Sequence, residues 1–246
     1  MDTTKALRAT DFTAVLNGRR SVRHFTNERV DDDLLKEIIE EAACSPSPGN
    51  SQEWEVVVLS HQQTERVIDK FEDWGWEYIF PLLRNVVRRS KDSAHKQAGN
   101  LNSSTHEFYE RYLKVSGSPR LLLVCKRRQP LYSEWWGVLK VPFSGVSPFF
   151  TLFFRSLSMR RVNRNLKSAG LANITYAMTL SAYSKGLATC IQGVYCNLEK
   201  EVIAHLELER DLEIFLSVLI GVEDQGRHET PKVLMARKPV RVHWLD

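Results

Sequence analysis

"GRRSVRHF", residues 18–25, and "SPSPGNSQEW", residues 45–54, bracket a helix-like segment, and the reading of the two together decides the fold. The first places Arg19, Arg20 and Arg23 beside Ser21 and His24 in a chain whose formal charge is only +4. A guanidinium fork binds phosphate oxygens in bidentate fashion, and a neighbouring hydroxyl adds one more donor. Alone, the stretch has three explanations: a solvated basic turn, a nucleic-acid patch or a phosphate cradle. The solvated turn is the simplest of them. The second stretch is a loop of small residues with one amide at its centre. Gly49 lets backbone approach something flat, and Asn50 carries donor and acceptor on one side chain, as a reader of a heterocycle edge must. A plain helix-to-strand turn accounts for the spacing more simply.

The bulk properties narrow the classes. With 246 residues, 43% of them apolar and 26% charged, the chain is expected to be globular, as one large domain or two small ones. The small net charge leaves any nucleic-acid case to local clusters. Cys44, Cys125, Cys190 and Cys196 form no C-x-x-C pair. Two of them, Cys125 and Cys190, sit among apolar neighbours like buried free thiols, which suits a reducing cytosol. The seven histidines show no ligand spacing, so no metal site is expected. The first residues lack the continuous apolar run of a signal peptide. "VPFSGVSPFFTLFF", Val141 to Phe154, is uncharged but shorter than the roughly 18 residues needed to span a bilayer. Pro142, Gly145 and Pro148 are expected to break it into a buried or cofactor-covering insertion.

Periodicity supplies the elements. "VDDDLLKEIIEEAACSP" predicts a helix, with Asp31 to Asp33 capping it and Leu34, Leu35, Ile38, Ile39, Ala42 and Ala43 forming its apolar stripe. Strands are expected at "WEVVVLS" (54–60), "RLLLVC" (120–125) and "IFLSVLIGV" (214–222). Helices are expected over 171–185, stopped by Gly186, and over 199–206. The ending "KPVRVHWLD" alternates like a strand. Helices and strands mix without a βαβ rhythm, which favours α+β.

R-R-S-x-R-x-F, an amphipathic helix, then S-P-x-x-G-N-x-Q-x-W running into a strand resembles the nitroreductase family. "SAYSKGLATCIQGVYC" (181–196), "VLIGVED" (218–224) and "LMARKPV" (234–240) extend the resemblance, and "TCIQGVYCN" leans toward its nitrobenzoate-reductase-like branch. The resemblance implies an α+β fold with a mostly antiparallel central sheet flanked by helices, an intertwined homodimer, FMN as cofactor and NADPH or NADH as electron donor. By the family pattern Arg19, Arg20 and Ser21 contact the FMN phosphate and ribityl chain, and Arg23 lies near the N1/O2 edge of the flavin. Ser47, Pro48, Gly49 and Asn50 shape the wall at the pyrimidine edge. The main chain at Gln192 and Gly193 approaches N5, and Arg237 completes the phosphate site. Met235 replaces a second basic residue common in the family. Gly170 and Ala177 stand where its central helix often has an acidic residue and an asparagine, and Glu53 where many relatives have proline.

The implied reaction passes electrons from NAD(P)H to an electron-poor aromatic, nitroaromatic or quinone-like, in ping-pong fashion. No catalytic side chain is expected, because the flavin carries the chemistry. The same fold also supports reductive dehalogenation, oxidation to azoles or dehydro-amino acids, flavin cleavage, and plain FMN binding. An aromatic-rich insertion around 127–168 is expected to bear on substrate choice. The basic run "RSLSMRRVNRNLK" (155–167) reads first as a solvated helix face, and second as a site for the 2′-phosphate of NADPH or an acidic aromatic. A cytoplasmic enzyme with no nucleic-acid partner and no membrane contact completes the expectation.

Overall fold

The computed structural model describes residues 12–75, 77, 109, 113–128, 146–227 and 242, with backbone alone at 72 and over 146–164. In chain order these form α1 (Phe12–Gly18), α2 (Asp32–Ala42), a 3-10 turn (Pro48–Asn50), β1 (Glu55–Val58), α3 (His61–Trp74) and β2 (Arg120–Arg127). There follow α4 (Val146–Ser184), β3 (Ala188–Gln192), α5 (Val194–Asn197), α6 (Glu199–His205), β4 (Leu212–Gly221) and a 3-10 turn (Gln225–Arg227). The strands order as β1-β2-β4-β3, and each neighbouring pair is antiparallel. The fold is the expected α+β, with helices on both faces of the sheet.

The uninterrupted apolar run of β2 has a direct cause: the sheet is covered on both sides. Leu121, Leu123 and Cys125 face one cluster with Phe25, Val67, Phe71, Tyr195 and Val202. Leu122 and Val124 face the other, with Leu35 and Ile38 of α2 and Leu171, Ile174 and Met178 of α4. Burying each such Leu or Ile contributes about 1.5–3 kcal/mol. A register shift at Val124/Cys125 bends β2 against β4.

Helix α2 ends at Ala42, ahead of Pro46, as its pattern predicts. Its cap differs from expectation. Asp31 occupies the N-cap position but makes no capping hydrogen bond, and the next carboxylate, Asp32, turns to Arg120 at 2.5 Å. Arg120 is 6% exposed, and its Nε donates to the Leu59 carbonyl at 2.7 Å. A guanidinium that deep needs a counter-charge, and Asp32 supplies it.

Helix α4 corrects the sequence reading. It spans 39 residues, roughly 58 Å, and starts at Val146 instead of Leu171. Pro148 does not break it, because it falls in the first turn, where its missing N–H costs no intrahelical bond. The part of the aromatic-rich segment over 146–168 is helical and continuous with the rest of α4. At the other end Gly186 takes φ +81°, with Leu187 N donating to the Ala182 carbonyl at 2.9 Å, a glycine stop as expected. The expected C-terminal strand and Arg237 lie outside the described residues. Among the described residues no helix is long and apolar enough to cross a membrane.

Candidate functional site

The arginine-bearing strap follows α1 directly. Gly18 lets α1 end against α4, since a Cβ there would meet Tyr183 Oη at 2.1 Å. Beyond it the chain is laid against the sheet by main-chain bonds. Ser21 bridges Thr189 of β3 in parallel, and Val22 N donates to the Thr189 carbonyl at 2.9 Å. Phe25 N donates to the Ser116 carbonyl at 2.9 Å and Thr26 N to the Val222 carbonyl at 2.8 Å. Ser116 N and Asp224 N return bonds to the carbonyls of Arg23 and His24, each at 3.0 Å. The strap is thus held along its length whatever its side chains do.

Those side chains separate into two kinds. Arg20 is exposed, and its Nη1 donates to the Asn17 and Arg19 carbonyls, closing the C-terminus of α1. Arg19 and Arg23 are half-buried. The Arg19 guanidinium lies 5.7 Å from the ring centroid of Tyr176, a cation–π contact, while its Nε is buried with no hydrogen-bond partner among the described residues. Burial pushes the Cys190 thiol upward while Arg23 and Arg19 pull it down, which puts both cations within electrostatic reach of β3. Thr189 is 1% exposed, and its Oγ1 also has no partner among the described residues. Three residues further along β3 sits Gln192, its Nε2 donating to the Leu113 carbonyl at 3.2 Å and its carbonyl accepting from Ser217 Oγ at 2.8 Å. Gly193, next to it, is exposed and opens α5. The sheet therefore sets Ser21 and Val22 on Thr189 of β3, three residues before Gln192, with Arg19 and Arg23 close enough to act on Cys190.

Ser47, Pro48, Gly49 and Asn50 form a second feature of different construction. Gly49, Asn50 and Gln52 have φ of +61°, +52° and +43°, left-handed values that non-glycine residues adopt at a cost. The loop bonds to itself: Gln52 N to Ser47 Oγ at 3.1 Å, Gln52 Nε2 to Asn50 Oδ1 at 2.7 Å, and Asn50 N to the Ser47 carbonyl at 3.0 Å. It leans on α4 through residues spaced by three. Lys167 pairs with Glu53 at 3.1 Å, and Asn173 Nδ2 donates to the Pro46 carbonyl at 2.9 Å. Between them Gly170 passes so close that a Cβ would sit 3.4 Å from Ser47 Cβ. Gly170 is small because the loop crosses it, and Asn173 makes the polar contact there.

Tyr176 continues the same ridge to Arg19. Six residues past Gly170, it lies about 9 Å along the helix and roughly 120° around it. Strap and loop therefore meet α4 at different heights and on different sides. The sequence reading weighed Lys167 only as part of a basic run and missed Asn173 and Tyr176, although the three-residue spacing on one helix is the signal that links them. Among the described residues no group of three or more His, Cys, Asp or Glu could hold a metal ion.

Comparison with known proteins agrees with this architecture. The model of the nitroreductase family matches residues 16–222. A 4-nitrobenzoate reductase from Nocardioides sp. (strain LMS-CY) is 24% identical over 253 residues, covering 94% of this chain and 88% of that protein. An iodotyrosine deiodinase from Hydra vulgaris is 34% identical over 74 residues, a match that spans 28% of this chain and 27% of the deiodinase. The FMN and NADPH-dependent nitroreductase NfnB from sphigopyxis sp. strain HMH superposes with a TM-score of 0.62 at 20% identity, over 96% of this chain and 99% of that one.

Proposed function

The chain belongs to the nitroreductase family, and from that membership we propose that it is an FMN-dependent oxidoreductase. It takes electrons from NADPH or NADH and delivers them to an electron-poor aromatic, nitroaromatic or quinone-like, each substrate taking its turn at one cofactor. The observation that carries this reading is the strap, with Arg19, Ser21 and Arg23 fixed by main-chain bonds to α1, to Thr189 of β3 and to Ser116. The buried Nε of Arg19 supports the fit to FMN, because an unpaired buried donor costs about 1–3 kcal/mol and a phosphate oxygen would satisfy it. In this reading Arg19, Arg20 and Ser21 hold the phosphate and ribityl chain, joined by Arg237. Arg23 sets a cation beside the N1/O2 edge, where reduction adds negative charge. Ser47, Pro48, Gly49 and Asn50 wall the pyrimidine edge, and the main chain at Gln192 and Gly193 faces N5. FMN supplies the redox chemistry; the side chains bind and orient it.

The homodimer follows from the same reading. Tyr176 and Leu166 on α4 are 42% and 44% exposed, and Phe12 on α1 is 66% exposed, large apolar groups that a partner would cover. With strap and loop on different sides of α4, each site would draw on both subunits. A monomeric mass by light scattering in the flavin-bound state would count against it. We read 1–246 as a single domain working in the cytoplasm.

The test is the visible spectrum of purified protein, before and after anaerobic NADPH and then NADH. A yellow protein that bleaches and recovers when a nitroaromatic or quinone is added bears the proposal out. A colourless protein that takes up no added FMN overturns it. The Hydra vulgaris match favours a second reading, reductive dehalogenation. Steady-state turnover with a nitroaromatic against an iodotyrosine separates the two.

A further inference from the structure

Between Ile214 and Gly221 strand β4 carries a single polar side chain, Ser217, which is 0% exposed. A buried hydroxyl costs free energy unless it is hydrogen-bonded, so the bond it makes is informative. Ser217 Oγ donates to the Gln192 carbonyl at 2.8 Å. The strands do not need that bond to align, because the register of β3 on β4 runs from Ala188↔Gly221 to Gln192↔Ser217 through the main chain.

The direction of that carbonyl fixes its neighbour. Thr189 turns its carbonyl to the strap, where Val22 N donates to it at 2.9 Å. Main-chain groups alternate sides along a strand, so three residues later the Gln192 carbonyl faces β4, where Ser217 meets it. Among the described residues no peptide bond is cis. In a trans peptide the N–H points opposite to the carbonyl, so the Gly193 N–H is turned to the side of β3 on which the strap lies. Gly193 is exposed, and its own carbonyl accepts from Cys196 N at 3.2 Å. Among the described residues no main-chain group accepts its N–H. The side chain of Gln192 is tied down as well, its Nε2 donating to the Leu113 carbonyl at 3.2 Å.

We infer that Ser217 is a positioning residue for the flavin: its hydroxyl locks the Gln192–Gly193 peptide so that the Gly193 N–H is presented to the ring nitrogen that takes hydride. The inference rests on the proposed FMN-dependent function. That nitrogen accepts a hydrogen bond in oxidised FMN and carries a hydrogen of its own once reduced, so a fixed donor favours the oxidised form. Ser217 also strengthens the donor, since a hydrogen bond to the carbonyl end of a peptide polarises its N–H. Loss of the hydroxyl therefore weakens the oxidised complex more than the reduced one, and the potential of the bound cofactor rises.

The test compares the full-length parent with Ser217→Ala and Ser217→Cys, each loaded with FMN. Affinity for oxidised FMN is followed by fluorescence quenching, and the potential by anaerobic dye equilibration. Removing the hydroxyl should raise the ratio of oxidised to reduced Kd about three- to tenfold, the worth of one hydrogen bond. Tenfold corresponds to about 30 mV for a two-electron couple. Ser217→Cys keeps a weak S–H donor and should fall between parent and alanine variant. A Ser217 that serves only the fold would lower the melting temperature or weaken both complexes alike, and leave the potential where it is. An unchanged or lowered potential in Ser217→Ala overturns the inference. Should neither variant fold, the parent decides, with glycine isotope labelling and the Gly193 amide signal identified by its loss in Gly193→Ala. That signal should move when oxidised FMN binds and move again on reduction; an amide indifferent to both overturns the inference. If the parent binds no FMN, the FMN reading falls and this inference with it. If the parent binds FMN and the potential ignores the hydroxyl, only the inference falls.

Discussion

The strap at residues 19–25 and the loop at 47–52 are both short, irregular and assigned to one cofactor, yet they are held by opposite means. The strap is bonded through its main chain to β3, to the turn before β2 and to the end of β4. Some of its side chains add to that hold: Arg20 closes α1, His24 Nδ1 pairs with Ser116 Oγ at 2.9 Å and Phe25 is buried in the core. The loop is tied by its own side chains, Ser47, Asn50 and Gln52, the last two in left-handed conformations, and rests on α4. Main-chain anchoring leaves side chains available for a ligand without a cost in fold. Side-chain anchoring makes binding and folding compete for the same groups.

The largest way to break the contrast is at Gly117. A Cβ there would lie 1.9 Å from the Phe25 carbonyl oxygen, at φ +83°, so neither the backbone nor a rotamer can relieve the clash. Gly117→Ala should cost about 3–4 kcal/mol, read as a fall in denaturant midpoint together with loss of FMN binding. Arg19→Ala should do the reverse. FMN affinity, followed by fluorescence quenching, drops about 10- to 100-fold while the melting temperature holds, because the strap keeps its main-chain bonds. A variant that melts much lower would contradict the main-chain account. At Gly49 nothing lies within 4 Å of an added Cβ, so only the φ of +61° opposes substitution. Gly49→Ala should cost about 1 kcal/mol, or some 2–4 °C in melting temperature.

The smallest effect concerns pH. Burial first, then Arg120 and Arg29, hold His61 below its ordinary 6.5, with Glu65 opposing. The folded state therefore takes up this proton at lower pH than the unfolded chain does. The associated stability is complete above pH 6.5 and is lost as pH falls below it. Urea midpoints at pH 7.5, 6.5 and 5.5 should show a decline that His61→Gln makes shallower. Equal slopes in the two proteins would remove His61 from the account.

Local chemistry made much of this readable from sequence. The α2 stripe, the β-branched run of β1, the apolar runs of β2 and β4 and the glycine stop at Gly186 depend on neighbours within one turn or one pleat. The strap and loop motifs were readable for the same reason. Helix α3 was readable too and was passed over. Ser60 N donates to Gln63 Oε1 at 3.0 Å and Gln63 N donates to Ser60 Oγ at 3.2 Å, a capping box announced by S-x-x-Q. Strand β3, "ATCIQ", offers no such sign. It is short, buried at four of its five positions, and earns its strand state from pairing with β4.

What the sequence by itself determined, then, was the element inventory near its strong periodic runs and the chemistry of two short motifs. Tertiary structure alone decided that Ser21 lies on Thr189, that α4 runs unbroken from Val146, and that Lys167, Gly170, Asn173 and Tyr176 link loop and strap along one ridge. The physical reason is range. Periodicity and capping are set by residues a few positions apart. A strap bonded to a strand some 170 residues away exists only once the chain has closed that distance, and its stability belongs to the pairing rather than to either partner.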